Sequence, residues 1–171
     1  MWSYRINRRA TLTGLSALGL LAACGFRPAF GPNGAAGALF EAVALPDPVT
    51  RDDFALNNRL RARLGAAAAP KWDLTHTIST SQQGFSASET ARIQLVGDLS
   101  FRLTPRSAEN RTFTGRVSAF VAYNEGQTSA TNTNTPVSTV AAAADARARL
   151  MVQLADRLIE DLIVQMAGGR G

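Results

Sequence analysis

Few residues in this sequence could carry chemistry: one cysteine, one histidine and two pairs of adjacent carboxylates. Because Cys24 is the only cysteine, it cannot form a disulfide within the chain, and its thiol is available for another use. His76 lies between Leu74 and Ile78 in a segment that alternates apolar and polar residues. On the apolar face of a strand, a histidine is typical of a hydrogen-bonded residue at the core boundary rather than of a catalytic base or metal ligand.

The carboxylate pairs are Asp52-Asp53 and Glu160-Asp161, and both fall in segments with a helical pattern. Adjacent residues of a helix point in different directions, so neither pair can share a proton as a catalytic dyad does. The sequence also has no cluster of histidine, cysteine and carboxylate at metal-ligand spacing, and no glycine pattern that would cradle a phosphate. We therefore predict a protein that is not an enzyme and that binds no metal or small-molecule cofactor.

The sequence before Cys24 predicts an export signal followed by covalent lipid attachment. Residues 1–10 are polar and basic, and residues 12–21 form an apolar run about half as long as a membrane-spanning helix requires. The run ends in Leu21-Ala22-Ala23-Cys24, which resembles the bacterial lipobox, in which the cysteine is acylated and becomes the first residue. We predict a lipoprotein signal peptide at 1–23, a lipidated tether rich in glycine, proline and alanine at 24–37, and a single domain at 38–171.

Two features near the cysteine bear on where the protein resides. Arg8-Arg9 fits a twin-arginine export signal and an ordinary basic leader, so the export route stays open. Gly25 occupies the position at which aspartate marks retention in the inner membrane of enteric bacteria, so it favours the outer membrane. Several acyl chains on one residue make anchoring effectively permanent, and we expect the domain to lie on the periplasmic face of the membrane without crossing it.

The formal net charge of +5 would suggest an anionic partner, but much of the positive charge lies before Cys24. Three of the 18 basic residues, Arg5, Arg8 and Arg9, precede Cys24 with no acidic residue among them, which leaves a net charge of only +2 on the mature chain. The remaining bases form no run with interleaved aromatic residues, as a groove that follows a phosphate backbone would need. We therefore expect no nucleic-acid partner.

The mature sequence predicts two helices and four strands. Thr50 followed by Asp52 and Asp53 predicts a helix start, and leucines at four-residue spacing carry that helix to about residue 65. A long second helix is predicted over 138–168, with its apolar stripe at Ala144, Ala148, Met151, Leu154, Leu158 and Leu162. Alternation predicts a first strand at 39–45, three more at 72–79, 92–103 and 112–123, and a polar loop at 124–136.

The order β-α-β-β-β-α places three strands in succession, which most simply form an antiparallel meander. Each strand has one apolar face and each helix one apolar stripe, so both helices on the same side of the sheet would bury all of them. We therefore predict an α+β fold, a two-layer sandwich with a four-stranded, mostly antiparallel sheet and two helices on one face. The other face of the sheet is then left open.

Two short segments carry a resemblance to a known family. The lipobox continues as Cys24-Gly25-Phe26-Arg27-Pro28-Ala29-Phe30, and the last helix contains Ala-Asp-Ala-Arg-Ala-Arg-Leu at 144–150. Together with the order of elements, they resemble the lipopolysaccharide-assembly lipoprotein family LptE of the alphaproteobacterial type, although that family often has Leu-Tyr in place of Ala29-Phe30. The resemblance implies a partner, the outer-membrane β-barrel LptD, which the lipoprotein plugs and helps to assemble while lipopolysaccharide passes to the outer leaflet.

The face turned away from the helices is predicted to carry a mixture of apolar and basic residues. They are Val96, Phe120 and Ala122 and Arg92, Arg102 and Arg116. Apolar residues on a face that should be wet indicate a covered surface, and arginine suits phosphorylated glycolipid or acidic barrel walls. A solvated face with a few stray apolar groups explains the same pattern. The three arginines and Phe120 are the candidate contacts with the barrel partner or with lipopolysaccharide.

A second class of function fits the same features. An auxiliary periplasmic lipoprotein of another lipid-transport complex would also need a leader, a lipid and a small α/β domain. It would dock on a soluble or inner-membrane partner, so co-purification from detergent-solubilised envelopes distinguishes it from a protein that plugs a barrel.

Overall fold

The fold combines a four-stranded mixed sheet with two helices, in a computed structural model that describes residues 34, 36–87, 90–108, 111–125 and 135–168. Strand order in the sheet is β1-β2-β3-β4, with β1 parallel to β2 and the other pairs antiparallel. The predicted α+β class and the order β-α-β-β-β-α are confirmed. The elements are β1 at Val43–Ala44, α1 at Arg51–Leu64, β2 at Trp72–Ala87, β3 at Thr90–Pro105, β4 at Phe113–Glu125 and α2 at Thr135–Gly168.

Helix α1 begins where the sequence predicts, because Thr50 and Asp53 cap it reciprocally. The Thr50 hydroxyl accepts a hydrogen bond of 3.1 Å from the Asp53 amide, and the Asp53 carboxylate accepts one of 2.9 Å from the Thr50 amide. Both bonds satisfy amides at the helix start that have no partner inside the helix. The helix ends at Leu64, and Gly65 follows with φ of 81°, a left-handed conformation that glycine adopts without steric cost.

The long strands alternate between the core and the open face as predicted. The register is unbroken from Trp72 opposite Pro105 to Ala87 opposite Thr90, and from Ala91 opposite Glu125 to Leu103 opposite Phe113. The side chain of His76 is only 3% exposed, in agreement with a core-boundary histidine. The buried sheet residues that face the helices are Trp72, Leu74, Leu95, Leu99, Phe101, Leu103, Phe113, Ala119 and Val121.

Helix α2 packs closely on β3 and β4 because two glycines lie beneath it. A Cβ atom added to Gly97 would lie 2.9 Å from Leu150 Cδ2, and one added to Gly115 would lie 2.5 Å from both Phe101 Cζ and Asp161 Oδ2. Neither position has room for a side chain without movement of its neighbours. The close approach of α2 fixes the helix layer against one face and leaves the other uncovered.

Several predicted boundaries are wrong. Strand β2 runs to Ala87, eight residues beyond the predicted end at 79, and β4 runs to Glu125, into the predicted loop at 124–136. The first strand is only Val43–Ala44, because residues 36–42 form a 3₁₀ helix and turns in which Leu39 N donates to Ala36 O at 3.0 Å. Leu39 is nonetheless fully buried, so its place in the core does not require an extended backbone. The long helix begins at Thr135 rather than at 138, since Pro136 falls in the first turn, where no helical N–H bond is lost.

The predicted apolar stripe of α2 is correct in its second half and wrong in its first. Met151, Leu154, Leu158 and Leu162 are buried, but Ala144 and Ala148 are exposed. Ala146 and Leu150 are buried instead. Alanine occurs on every side of this part of the helix, so the spacing of apolar residues does not indicate which side faces the core.

Candidate functional site

The open face, the surface of alternate β2, β3 and β4 residues turned away from the helices, carries all four predicted contact residues. Arg92, Arg102 and Arg116 are exposed, and Phe120 is 61% exposed. Phe120 lies near the centre of β4, yet its side chain points to the face opposite the core, where polar residues are the usual choice. The residue placement predicted by alternation is therefore the placement that the structure has.

The register brings Arg102 and Arg116 together at one end of the open face. Arg102 pairs with Thr114 across β3 and β4, and Arg116 pairs with Ser100, which makes the two arginines diagonal neighbours. Arg116 Nε donates a hydrogen bond of 3.2 Å to Ser100 Oγ, which orients its guanidinium along the sheet. Two guanidinium groups at this spacing can together bind a phosphate or a carboxylate.

A shallow depression of about 370 Å³ adjoins this arginine pair. Hydroxyl side chains from all three long strands contribute to its lining, so it offers hydrogen-bond donors and acceptors beside the guanidinium of Arg102. The hydroxyl-bearing lining residues are Thr75, Thr77, Ser100 and Thr114.

Arg92 does not belong to that end. It pairs with Asn124 and lies ten positions before Arg102 along β3, a distance of roughly 33 Å at the usual rise of a strand. Between the two ends Phe120 pairs with Val96, and Ala122 pairs with Gln94. From the sequence we predict the three arginines as one group. In the structure, the open face has an apolar centre, with Arg92 at one end and Arg102 and Arg116 at the other.

Arg92, Arg102 and Arg116 lack ionic partners within the described part of the chain, unlike Arg106 just after β3, which pairs with Asp73 at 2.7 Å. No carboxylate there forms an ion pair with Arg92, Arg102 or Arg116. Asp98 lies on the same face opposite Ser118 without pairing to any of them. The face is consequently basic at both ends.

Arginines on other surfaces are used differently. Arg59 of α1 donates two hydrogen bonds, of 3.0 and 2.8 Å, to Asp156 of α2, and Arg147 of α2 contacts Asp52 of α1 at 2.8 Å. The hydrogen bonds with Asp156 and with Asp52 raise the pKa of Arg59 and of Arg147 above the ordinary arginine value. Sequence reasoning missed these helix-joining pairs, because partners 97 and 95 residues apart leave no local signal.

Comparison with known families decides the affiliation of the chain. The LptE family, described as lipopolysaccharide-assembly, matches residues 40–162. The chain belongs to the LptE family. The match spans α1, the three long strands and most of α2, which includes every open-face residue named above.

Three solved structures are similar to this LptE family member to different degrees. It is similar to a candidate lipoprotein from Caulobacter crescentus CB15, with a TM-score of 0.61 and 19% identity over 81% of this chain and 99% of that one. It is also similar to a minor lipoprotein from Acinetobacter baumannii (TM-score 0.49, 14% identity, 72% and 91% covered) and to rare lipoprotein B from Shewanella oneidensis (TM-score 0.49, 14% identity, 76% and 98% covered). No curated protein matches it by sequence. The Caulobacter likeness concerns the fold alone.

The other residues singled out from the sequence form no second site. His76 is in the core and contacts Asp53 at 3.3 Å, and no group of three or more potential metal ligands occurs among the residues that the structure describes. Cys24, the signal peptide and most of the tether lie outside those residues, as does most of the predicted polar loop. None of the helices within the described ranges is long and apolar enough to cross a membrane.

Proposed function

We propose that this LptE family member is an outer-membrane lipoprotein, acylated on Cys24, that plugs and helps to assemble an LptD-type β-barrel for lipopolysaccharide insertion. The observation that carries the proposal is the open face, where exposed Phe120 lies between arginines that have no ion-pair partner among the described residues. An exposed aromatic side chain flanked by unpaired arginines is typical of a surface that another molecule covers.

The chemistry of the open face fits the two expected contacts. The lumen of an outer-membrane barrel is polar, and acidic groups on its wall would pair with Arg92, Arg102 or Arg116. Phosphate groups of a glycolipid would accept two hydrogen bonds from each guanidinium, most readily at the Arg102 and Arg116 pair. Phe120 and its apolar neighbours would pack against the wall or an acyl chain.

Attachment through Cys24 fits the dimensions of the chain. The 3₁₀ helix begins at Ala36, twelve positions after Cys24, so a fully extended tether spans about 40 Å at most. A lipid on Cys24 would therefore keep the folded domain close to the membrane surface, within reach of a partner embedded there. The anchor, not a spanning helix, is proposed to supply membrane attachment.

Charge reversal on the open face tests the proposal. The triple variant Arg92→Glu, Arg102→Glu and Arg116→Glu is expected to keep the thermal midpoint near that of the wild type, because exposed charges contribute little to folding. Co-purification with the barrel and binding of lipopolysaccharide should both fall at least tenfold. Phe120→Ala should weaken barrel binding without a change in its salt dependence, whereas the contribution of the arginines to glycolipid binding should decline steeply with salt.

A matched variant controls for net charge. Arg51, Arg61 and Arg63 are exposed on α1, in the helix layer away from the open face, and among them only Arg63 approaches a carboxylate, that of Asp156 at 3.9 Å. Changing these three to glutamate alters the net charge equally but should leave both binding measurements unchanged. If the open-face variant bound the barrel and lipopolysaccharide as well as the wild type does, the open face would be merely solvated and the proposal would be wrong.

A further inference from the structure

The two edges of the sheet are unequal in how they are protected. Strand β4 is an edge along its whole length, and β2 is an edge beyond Asp73, because β1 pairs only with Trp72 and Asp73. An edge strand presents unpaired N–H and C=O groups of alternate residues, and these groups can bind a further strand. The proteins that carry such edges usually block them.

Hydrogen bonds elsewhere in the sheet identify the β4 residues whose backbone groups point outward. Arg106 N donates to Lys71 O at 2.9 Å, and the Thr75 hydroxyl donates to Arg102 O at 3.4 Å, so even-numbered residues at this end of β3 direct their backbone groups toward β2. Odd-numbered residues of β3 then bond to their odd-numbered partners on β4. The even-numbered residues of β4 must therefore point their N–H and C=O groups away from the sheet.

Helix α2 caps only the first half of this edge. Gln165 Nε2 donates a hydrogen bond of 3.2 Å to Thr114 O, and Arg157 donates one to Ser118 O. Both acceptors are even-numbered residues, as the ladder requires. No described residue hydrogen-bonds to the backbone of the next outward-pointing residues, Phe120, Ala122 and Asn124. We call Phe120–Asn124 the free half of β4.

The side chains beside the free half differ from those beside the β2 edge. Between residues 75 and 83, the β2 residues of the open face are hydroxyl and amide side chains that suit water: Thr75, Thr77, Ser79, Ser81 and Gln83. The free half instead carries Phe120, 61% exposed, and Ala122, with Val96 directly across on β3. An apolar strip beside unpaired backbone groups favours strand addition, since both would be covered at once.

Charge defines the ends of the same strip. Arg116 lies four residues before Phe120 on β4, and Arg92 lies opposite Asn124 on β3. Neither arginine is ion-paired within the described residues. An extended segment bound along the free half would therefore complement it if the segment itself were apolar in the middle and had an acidic residue toward each end.

We infer that the free half of β4 accepts an extended segment of the protein partner as a fifth strand of the sheet. This inference rests on the proposed function in so far as the partner is a protein. Backbone hydrogen bonds to Phe120, Ala122 and Asn124 would supply affinity, and contact with the apolar strip and the flanking arginines would select the segment. The occupant is thus defined by its chemistry: an extended peptide, apolar in the middle and acidic at its ends.

A proline placed at an outward-pointing amide tests the inference without breaking the native ladder. Ala122→Pro removes only the outward N–H group of residue 122, a position at which edge strands tolerate proline, and Val121 before it is already extended. We expect Ala122→Pro to lower co-purification of the full-length lipoprotein with its barrel at least tenfold, with a thermal midpoint near that of the wild type. Gln82→Pro makes the same change at an exposed outward position of the β2 edge and should leave co-purification unchanged.

Amide hydrogen exchange of the complex provides a readout that does not depend on the variant folding. The amides of Phe120, Ala122 and Asn124 should exchange at least tenfold more slowly in the complex than in the isolated lipoprotein, while the amide of Gln82 should not change. If the barrel bound with no added protection of these three amides, the inference would be overturned, although the proposed function would stand on the charge-reversal result.

Self-association is measured in the same preparations. If the isolated chain formed a dimer that Ala122→Pro converts to a monomer, the occupant of the free half would be a second copy of this chain, and the inference of a partner segment would be wrong. A wild-type monomer that gains protection only in the complex is the result that supports it.

Discussion

Nε2 of His76 on β2 lies 3.3 Å from Oδ1 of Asp53 in the first turn of α1. The same carboxylate accepts the capping bond from Thr50, so one side chain both starts the helix and ties it to the sheet. Nδ1 of His76 is buried and has no partner among the described residues. A proton on the buried Nδ1 would lack an acceptor, so the geometry favours a proton on Nε2, which then donates to Asp53.

The environment of Asp53 predicts a loss of stability in acid. Partial burial raises the pKa of this carboxyl, but hydrogen bonds from Thr50, His76 and Val49 lower it more, so the pKa lies below its ordinary value of 3.8. A lowered pKa in the folded state gives stability that is present above the unfolded pKa and is lost as the pH falls through the folded one. Asp53→Asn should flatten the decline in the free energy of unfolding between about pH 5 and pH 2. Urea titrations over this range measure it, and Asp47→Asn, at an exposed position, should keep the wild-type slope.

The phase of β3 can be tested with two adjacent residues. Phe101 is buried against the helices, and Phe101→Ala should destabilise the domain by about 3 to 5 kcal/mol, the usual cost of truncating a buried aromatic residue. Ser100 points to the open face, where its hydroxyl accepts one hydrogen bond from Arg116, so Ser100→Ala should cost less than about 1 kcal/mol. Equal shifts of the two denaturant midpoints would show that the inward and outward faces are assigned incorrectly.

Gly115 should tolerate no side chain. Gly115→Ala places a Cβ 2.5 Å from the Phe101 ring and from the Asp161 carboxylate, and we expect a loss of about 1 to 3 kcal/mol from this overpacking. Gly84 on β2 has no atom within 4 Å of an added Cβ, so Gly84→Ala is the matched control and should be neutral or slightly stabilising. Thermal midpoints of the two variants that moved together would contradict the close approach of α2 to β4.

Removal of the two α2 side chains that cap the β4 edge should increase self-association of the protein. The double variant Gln165→Ala and Arg157→Ala leaves the carbonyl groups of Thr114 and Ser118 without their partners on α2. Because an uncapped edge binds other strands, sedimentation velocity should reveal more self-association than in the wild type at equal concentration. Gln153→Ala, at an exposed position of α2, serves as the control. A double variant as monodisperse as this control would mean that the two caps do not protect the edge.

Cys24→Ala tests lipid attachment directly. No other residue of the chain is a cysteine, so the variant should incorporate no palmitate in metabolic labelling and should remain uncleaved or become soluble. Label retained by the variant would place the lipid on a different residue and would remove the basis for the signal peptide boundary at 1–23.

Much of the fold could be predicted because its signals are local. The Thr50 and Asp53 cap depends on residues three positions apart, and the alternation around Phe101 depends on residues two apart. The apolar stripe of α2 was predictable where leucine and methionine recur and not where alanine surrounds the helix. The short length of β1 could not be predicted, because a buried leucine such as Leu39 has the same sequence pattern in a turn as in a strand.

The sequence by itself determined the element types, the two faces of each long strand and the residues of the open face, because these follow from the periods of the helix and the strand. Only the tertiary structure decided that Arg102 lies beside Arg116 while Arg92 lies at the other end, that Arg59 binds Asp156, and that α2 caps half of the β4 edge. These relationships join residues far apart in the chain. They depend on strand register and on the position at which a helix packs on the sheet, and the local spacing of residues predicts neither.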